Sequence, residues 1–152
     1  MGYPLISKVC DEMRNFHYEG NIVPISWCRK LKKIVWDREA HEYKESDQTD
    51  HLAILILSDI LYWYKPVEIR DEKTGKLVGY GQRFEGDKLQ KTYQEYAELL
   101  NAPKSSVKRA IDNLVFRGLV RREFRTIKTR NGLAMCNVMY LEPVLEEIKK
   151  IT

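Results

Sequence analysis

The chain has 152 residues, 26 Lys and Arg against 22 Asp and Glu, a net charge of +4, and three cysteines. That length holds one ordinary domain with modest additions and a real hydrophobic core. Cys10, Cys28 and Cys136 are odd in number and form no C-x-x-C pair. This argues against a disulfide framework or a zinc knuckle and fits reduced thiols in a cytoplasmic protein.

The N-terminus, MGYPLISKVCDEMRNF, meets Asp11 and Glu12 before an apolar run develops, and Ile6 stands where a myristoylation signal needs Ser or Thr. No secretion signal or lipid anchor is expected. A helix is predicted near Ser7–His17, a break at Glu19-Gly20-Asn21, and a second helix from Pro24 to Lys33 with proline near its start. The polar run DREAHEYKESDQTD then reads as a loop. Thr49 or Asp50 caps an apolar helix from His51 to Tyr64, which Lys65-Pro66 stops. This helix is shorter than the ~20 residues a bilayer span needs and carries Asp59, so it is assigned to a core and no membrane is involved.

VEIRDEKTGKLVGYGQRF alternates apolar and polar residues around Thr74-Gly75, which predicts a β-hairpin from about Val67 to Gln82. Thr92-Tyr93-Gln94-Glu95 is a capping box, and Tyr93, Tyr96, Ala97 and Leu100 then share one helical face. Asn101-Ala102-Pro103 separates this helix from another, where Val107, Ala110, Ile111, Leu114 and Val115 form the apolar arc. Ser105, Ser106, Arg109, Asp112 and Asn113 take the opposite side, with Lys108 on the flank. Phe116 projects from the arc and is placed to pack on the N-terminal region or on a partner. After Arg117-Gly118, Leu119–Ile127 reads as a strand, turned back through a type I′ Asn131-Gly132 turn into Leu133–Leu141.

These elements predict an α+β chain, mainly helical, in two parts. Residues 1–49 form a helical extension packed on the core. Residues 50–152 form a winged helix-turn-helix with an inserted hairpin at 67–82 and a C-terminal two-stranded wing. Charge follows the same division: Lys88–Arg130 holds eleven cations against Glu95, Glu98, Asp112 and Glu123, or +7, leaving −3 elsewhere. One basic face is the expected footprint of a polyanion.

In such a fold the second helix enters the major groove, where base edges present distinguishable donors and acceptors. Ser105 and Ser106 can reach phosphates or base edges, Arg109 can pair with guanine, and Asn113 with adenine. Lys104 and Lys108 flank the helix N-terminus and suit phosphates, with Asp112 on the same face. Arg121, Arg122, Arg125, Lys128 and Arg130 carry the basic track into the wing. Double-stranded DNA is the expected partner. Single-stranded DNA, replication proteins and a second copy of the chain stay open as further ones.

WYKP at Trp63–Pro66, RDEKTGKLVG, GDKLQKTYQEYAELL, SSVKRAIDNL, RGLVRREFRT and NVMYLEP together resemble the winged-helix domains of phage, plasmid and mobile-element replication proteins of Gram-positive bacteria. Replisome organisers related to DnaD-type primosome proteins are among them. The resemblance spans Leu52–Leu141 and implies duplex binding at an origin or operator by Lys104, Ser105, Ser106, Lys108 and Arg109. Members of that family often continue into a further domain that binds replication partners. Transcription regulators share the same core, so the resemblance specifies DNA binding more closely than replication.

No catalytic or cofactor site is expected. Ser105-Ser106-Val107-Lys108 matches S-x-x-K and Lys73-Thr74-Gly75 matches K-T-G, but their order is reversed and no S-D-N box accompanies them. His41 and His51 lack the spacing of a metal site. Arg29, Lys30, Lys32 and Lys33 read as a surface coat, and Trp27, Trp36, Tyr62, Trp63 and Tyr64 as core rather than as base-stacking groups. The assignment of His51–Tyr64 to the core predicts that Ile56→Asp, which buries an unpaired carboxylate, abolishes cooperative unfolding followed by circular dichroism.

Overall fold

The computed structural model describes Gly2 and residues 4–152. Six helices and seven strands are present among the described residues, with the strands in three small antiparallel sheets. The chain is therefore mixed α+β, with more strand than a mainly helical protein. Two of the additional strands lie in the N-terminal part and a short third one joins the C-terminal sheet.

There, α1 (Lys8–Met13) buries no residue, and α2 (Trp27–Lys30) is a single turn where a ten-residue helix was predicted. The chain leaves α2 at Leu31 and runs directly into β1 (Lys32–Asp37), which pairs with β2 (Glu42–Thr49). The predicted polar loop is thus a hairpin. Its turn is set by Asp37, whose carboxylate accepts from the amides of Glu39 and Ala40, and by His41 in the left-handed region at φ 50°. The strand signal in EYKESDQT was invisible because both faces of β2 are largely solvated, so no apolar alternation is required. Trp27 and Leu31, 1% and 0% exposed, belong to the hydrophobic core. Trp27 Nε1 donates to Thr152 Oγ1 at 2.9 Å, joining α2 to the end of α6 (Leu145–Ile151), a helix the sequence reading missed.

The core forms around α3 (His51–Tyr64), capped as predicted by Asp50, whose side chain accepts from the amide of Ala53. Ala53, Ile56, Leu57 and Ile60 are fully buried. α4 (Tyr93–Leu100) has the predicted capping box, with both reciprocal bonds between Thr92 and Glu95. Asn101 at φ 49° ends it in the left-handed conformation that turns the chain into α5 (Lys104–Phe116). Val107, Ala110, Ile111 and Leu114 bury the inner arc of α5. Gly118, at φ 72°, closes it: Leu119 N donates to Leu114 O and Gly118 N to Val115 O, the paired bonds of a Schellman terminus.

β6 (Val120–Lys128) and β7 (Ala134–Pro143) form the predicted long hairpin, and β5 (Leu89–Gln90) adds a short third strand beyond β7. The turn differs from type I′. Of the pair Asn131-Gly132 only Gly132 has positive φ, and Gly132 N donates to Thr129 O while Thr129 N donates to Leu133 O. A three-residue loop closed by a left-handed glycine needs no second positive φ. The inserted hairpin, β3 (Val67–Arg70) and β4 (Leu77–Gly81), lies between α3 and β5. At its root Tyr64 Oη donates to Leu141 O at 2.6 Å and accepts from the amide of Leu89 at 3.0 Å.

Asn113 corrects the sequence reading. It is 1% exposed and cannot reach a base edge. Its Nδ2 donates to Lys32 O and to Asp50 Oδ2, both at 2.9 Å, and its Oδ1 accepts from Arg117 Nε at 2.8 Å. At the border of the apolar arc, the hairpin β1–β2 covers it, and a polar side chain is needed to give the buried Asp50 Oδ2 its donor. Asn113→Ala should cost about 2–3 kcal/mol, because it leaves buried partners unsatisfied. Urea unfolding measures this, and an unchanged midpoint would mean that β1–β2 is held by other contacts.

Candidate nucleic-acid interface

Helix α5 and the hairpin β6–β7 carry every site residue predicted from the sequence, but they use them differently. Lys104, Ser105, Lys108 and Arg109 are exposed on the outer face of α5, and Ser106 is half-buried with its Oγ accepting from Arg109 at 3.2 Å. Pro103 offers no side-chain cap, so the first turn of α5 opens to solvent with its positive dipole end. An anion approaching this end meets backbone amides flanked by Lys104 and Lys108.

Asp112 is a brace rather than a contact. Its carboxylate accepts from Lys108 Nζ at 2.8 Å and from Arg122 at 2.6 Å, and Arg122 also donates to Tyr93 Oη at 3.0 Å. Partial burial pushes the Asp112 carboxyl up, but the hydrogen bonds from Lys108 and Arg122 outweigh it and hold it below the ordinary value. Arg122 is thereby spent on joining β6 to α4 and α5. Arg125 is spent on the sheet: it makes a bidentate pair with Asp87 at 2.8 and 2.9 Å, reaches Glu123 at 3.0 Å, and stacks 4.4 Å over the ring of Tyr140. Arg121 keeps an exposed side chain and pairs loosely with Glu142 at 3.3 Å.

Lys104, Arg109, Lys128 and Arg130 are exposed cations that form no ion pair among the described residues. The basic track read from the sequence therefore divides. One group at the α5 N-terminus and one at the β6–β7 tip stay free for an external anion, while the arginines between them build the frame that fixes their spacing.

A groove of about 980 Å³ runs along α5, with β1–β2 as its far wall. The helix contributes Ser106, Arg109 and Phe116, and the hairpin contributes Lys33, Tyr43 and Gln48. Between Lys32 and Ile34 the register slips, so that Ser46, Asp47 and Gln48 bulge opposite Lys33. Such bulges re-aim side chains. Of the four cations read as a surface coat, Lys30 Nζ and Lys32 Nζ lean on the carbonyls of Lys150 and Asp47, and Lys33 lines the groove. Lys33 was set down as surface coat because Lys32-Lys33 was read as the end of a helix. The β-branched and aromatic run Ile34-Val35-Trp36 that follows it was the available strand signal.

Comparison of the chain with protein-family models, curated proteins and solved structures returned no match. No helix among the described residues is long and apolar enough to cross a membrane, and Cys10, Cys28 and Cys136 are free thiols.

The frame can be tested by titration. The hydrogen bonds from Arg125 hold the Asp87 carboxyl down to about 2. A folded-state value below the unfolded one means this pair supports the fold above the ordinary carboxylate range and loses that support as pH falls through about 2. In an NMR titration, Arg125→Ala should return Asp87 toward its ordinary value. An Asp87 titration unchanged by that substitution would remove the pair.

Proposed function

We propose that this chain binds duplex DNA without catalysis, using α4 and α5 as a helix-turn-helix and β6–β7 as its wing, to initiate or control replication of a phage, plasmid or other mobile element. The observation carrying this reading is the pair of unspent basic groups, Lys104 with Arg109 on α5 and Lys128 with Arg130 near the hairpin tip. Arg109 has the planar donor fork that reads guanine in the major groove, and Lys104 meets phosphate beside the uncapped helix end. Lys128 and Arg130 would add phosphate or minor-groove contacts. The replication role rests on the resemblance of Leu52–Leu141 alone. A transcriptional regulator would use the same contacts.

A protein-docking role is the second reading, favoured by β3–β4, where Ile69, Val78 and Tyr80 are 51%, 68% and 63% exposed. Salt separates the two. Log affinity for duplex DNA falls with log salt at roughly 0.9 per neutralised phosphate, whereas an apolar contact responds weakly.

The decisive experiment selects bound sites from random duplexes and then compares Arg109→Ala with Lys128→Ala on a selected and a random duplex. Arg109→Ala should lose about 1–3 kcal/mol of discrimination while binding random duplex almost as before. Lys128→Ala should weaken both duplexes alike and lower the salt slope by about one. No enrichment in the selection, or two variants that bind like the parent, would transfer the function to protein docking.

A further inference from the structure

Trp36, Tyr43 and Phe116 form a contiguous aromatic surface. Tyr43 lies edge-on to Trp36 at 5.0 Å and to Phe116 at 5.9 Å, and the three residues are 51%, 53% and 58% exposed. Trp36 and Tyr43 are cross-strand partners of β1–β2, and Phe116 ends α5. Tyr43 and Phe116 also line the groove, which holds Lys33 on the same hairpin.

We propose that this end of the groove is a binding site for an unpaired nucleic-acid strand, with bases stacked on Tyr43, Phe116 and Trp36 and a backbone phosphate on Lys33. The charge of the groove selects this occupant over an apolar peptide. Its carboxylates are already satisfied: Asp112 by Lys108 and Arg122, and Asp50 by Asn113 and the amide of Ala53. Beside it, Glu45 is paired with Arg117 and Asp37 with Lys44. Lys33 remains as an exposed cation lining the same groove as the rings of Tyr43 and Phe116, and a free cation with exposed rings is the combination that binds single strands without sequence preference. Glu39 and Glu42 at the hairpin tip bound the site on the far side.

A paired duplex cannot occupy this surface by stacking, because its base faces are covered by their neighbours. Strand stacking is therefore a different mode of contact from duplex reading, although Arg109 lines the same groove. Arg109 and Phe116 are seven residues apart, or about 10 Å along a helix. One helix would face paired DNA at its start and an opened strand at its end.

Tryptophan fluorescence tests this directly. Trp27 is buried at 1% exposure and Trp63 is half-buried beneath Lys91, so a stacked base quenches Trp36 first. The probes are short oligothymidylate and oligouridylate, titrated into the full chain, with a labelled duplex run in parallel. The parent should be quenched on binding oligothymidylate. Trp36→Phe should lose the quench yet still bind the labelled oligomer by anisotropy.

Tyr43→Ala and Lys33→Ala should each weaken strand binding about ten-fold or more and leave duplex binding unchanged. Tyr43→Leu, which keeps apolar bulk on the hairpin, should be as weak as Tyr43→Ala. Binding of oligothymidylate alone marks DNA as the ligand, and binding of both oligomers marks any unpaired strand. A parent that binds neither oligomer, or variants that bind the strand like the parent, would overturn the site. Loss of duplex binding with strand binding retained would instead overturn the reading of α5 as a duplex reader.

Discussion

Asn113 lies inside the protein with its side-chain amide committed to Lys32 O, Asp50 Oδ2 and Arg117 Nε. Three elements meet at this one group: the start of β1, the cap of α3, and the last turn of α5. Arg117 extends the junction by donating to Lys32 O at 2.6 Å and to Glu45 at 3.1 Å. An apolar side chain of the same size would fill the space and leave the buried Asp50 Oδ2 without its donor. The amide thus fixes β1–β2 beside α5, and the existence of the groove follows from it. Tyr96 makes a comparable junction with Asp59, donating at 2.9 Å, and burial together with that carboxylate drives its hydroxyl far above its usual pKa. Two buried polar contacts, rather than apolar packing alone, set how α3, α4 and α5 sit together.

The parts of the fold legible in the sequence are those whose signals are local. The capping box at Thr92, the apolar arc of α5, the stop at Gly118 and the alternating strands around Gly132 each depend on neighbours within a few residues. The N-terminal hairpin was not legible, because β2 is solvated on both sides and its strand pairing rests on contacts with α5 far along the chain. Asn113 was misread for a related reason. A helical wheel places it beside the exposed residues, and only the strand from residues 32–37 converts that border position into the interior. The candidate site was legible in its free cations and illegible in its internal pairs. Asp87 and Arg125 are 38 residues apart, and nothing in the spacing announces their bidentate bond.

That internal pairing changes what net charge means here. The +7 between Lys88 and Arg130 suggests a broad basic surface. Arg117, Arg122 and Arg125 are instead part-buried and neutralised by carboxylates within the fold. What faces outward is smaller and more directional. A few cations on a rigid frame favour defined contacts over diffuse attraction, since their geometry is set before any ligand arrives.

The phenol of Tyr64 has a consequence for the history of the fold. Its bonds to Leu89 N and Leu141 O draw together the two points between which β3–β4 departs and returns. Loop closure is completed at the root, so the length and composition of the excursion matter little to what lies beneath it. The segment from Val67 to Gly81 is accordingly a graft site: it can be trimmed, extended or exchanged while helix and sheet keep their relation. Selection can vary its apolar surface independently of the exposed cations on α5 and at the β6–β7 tip.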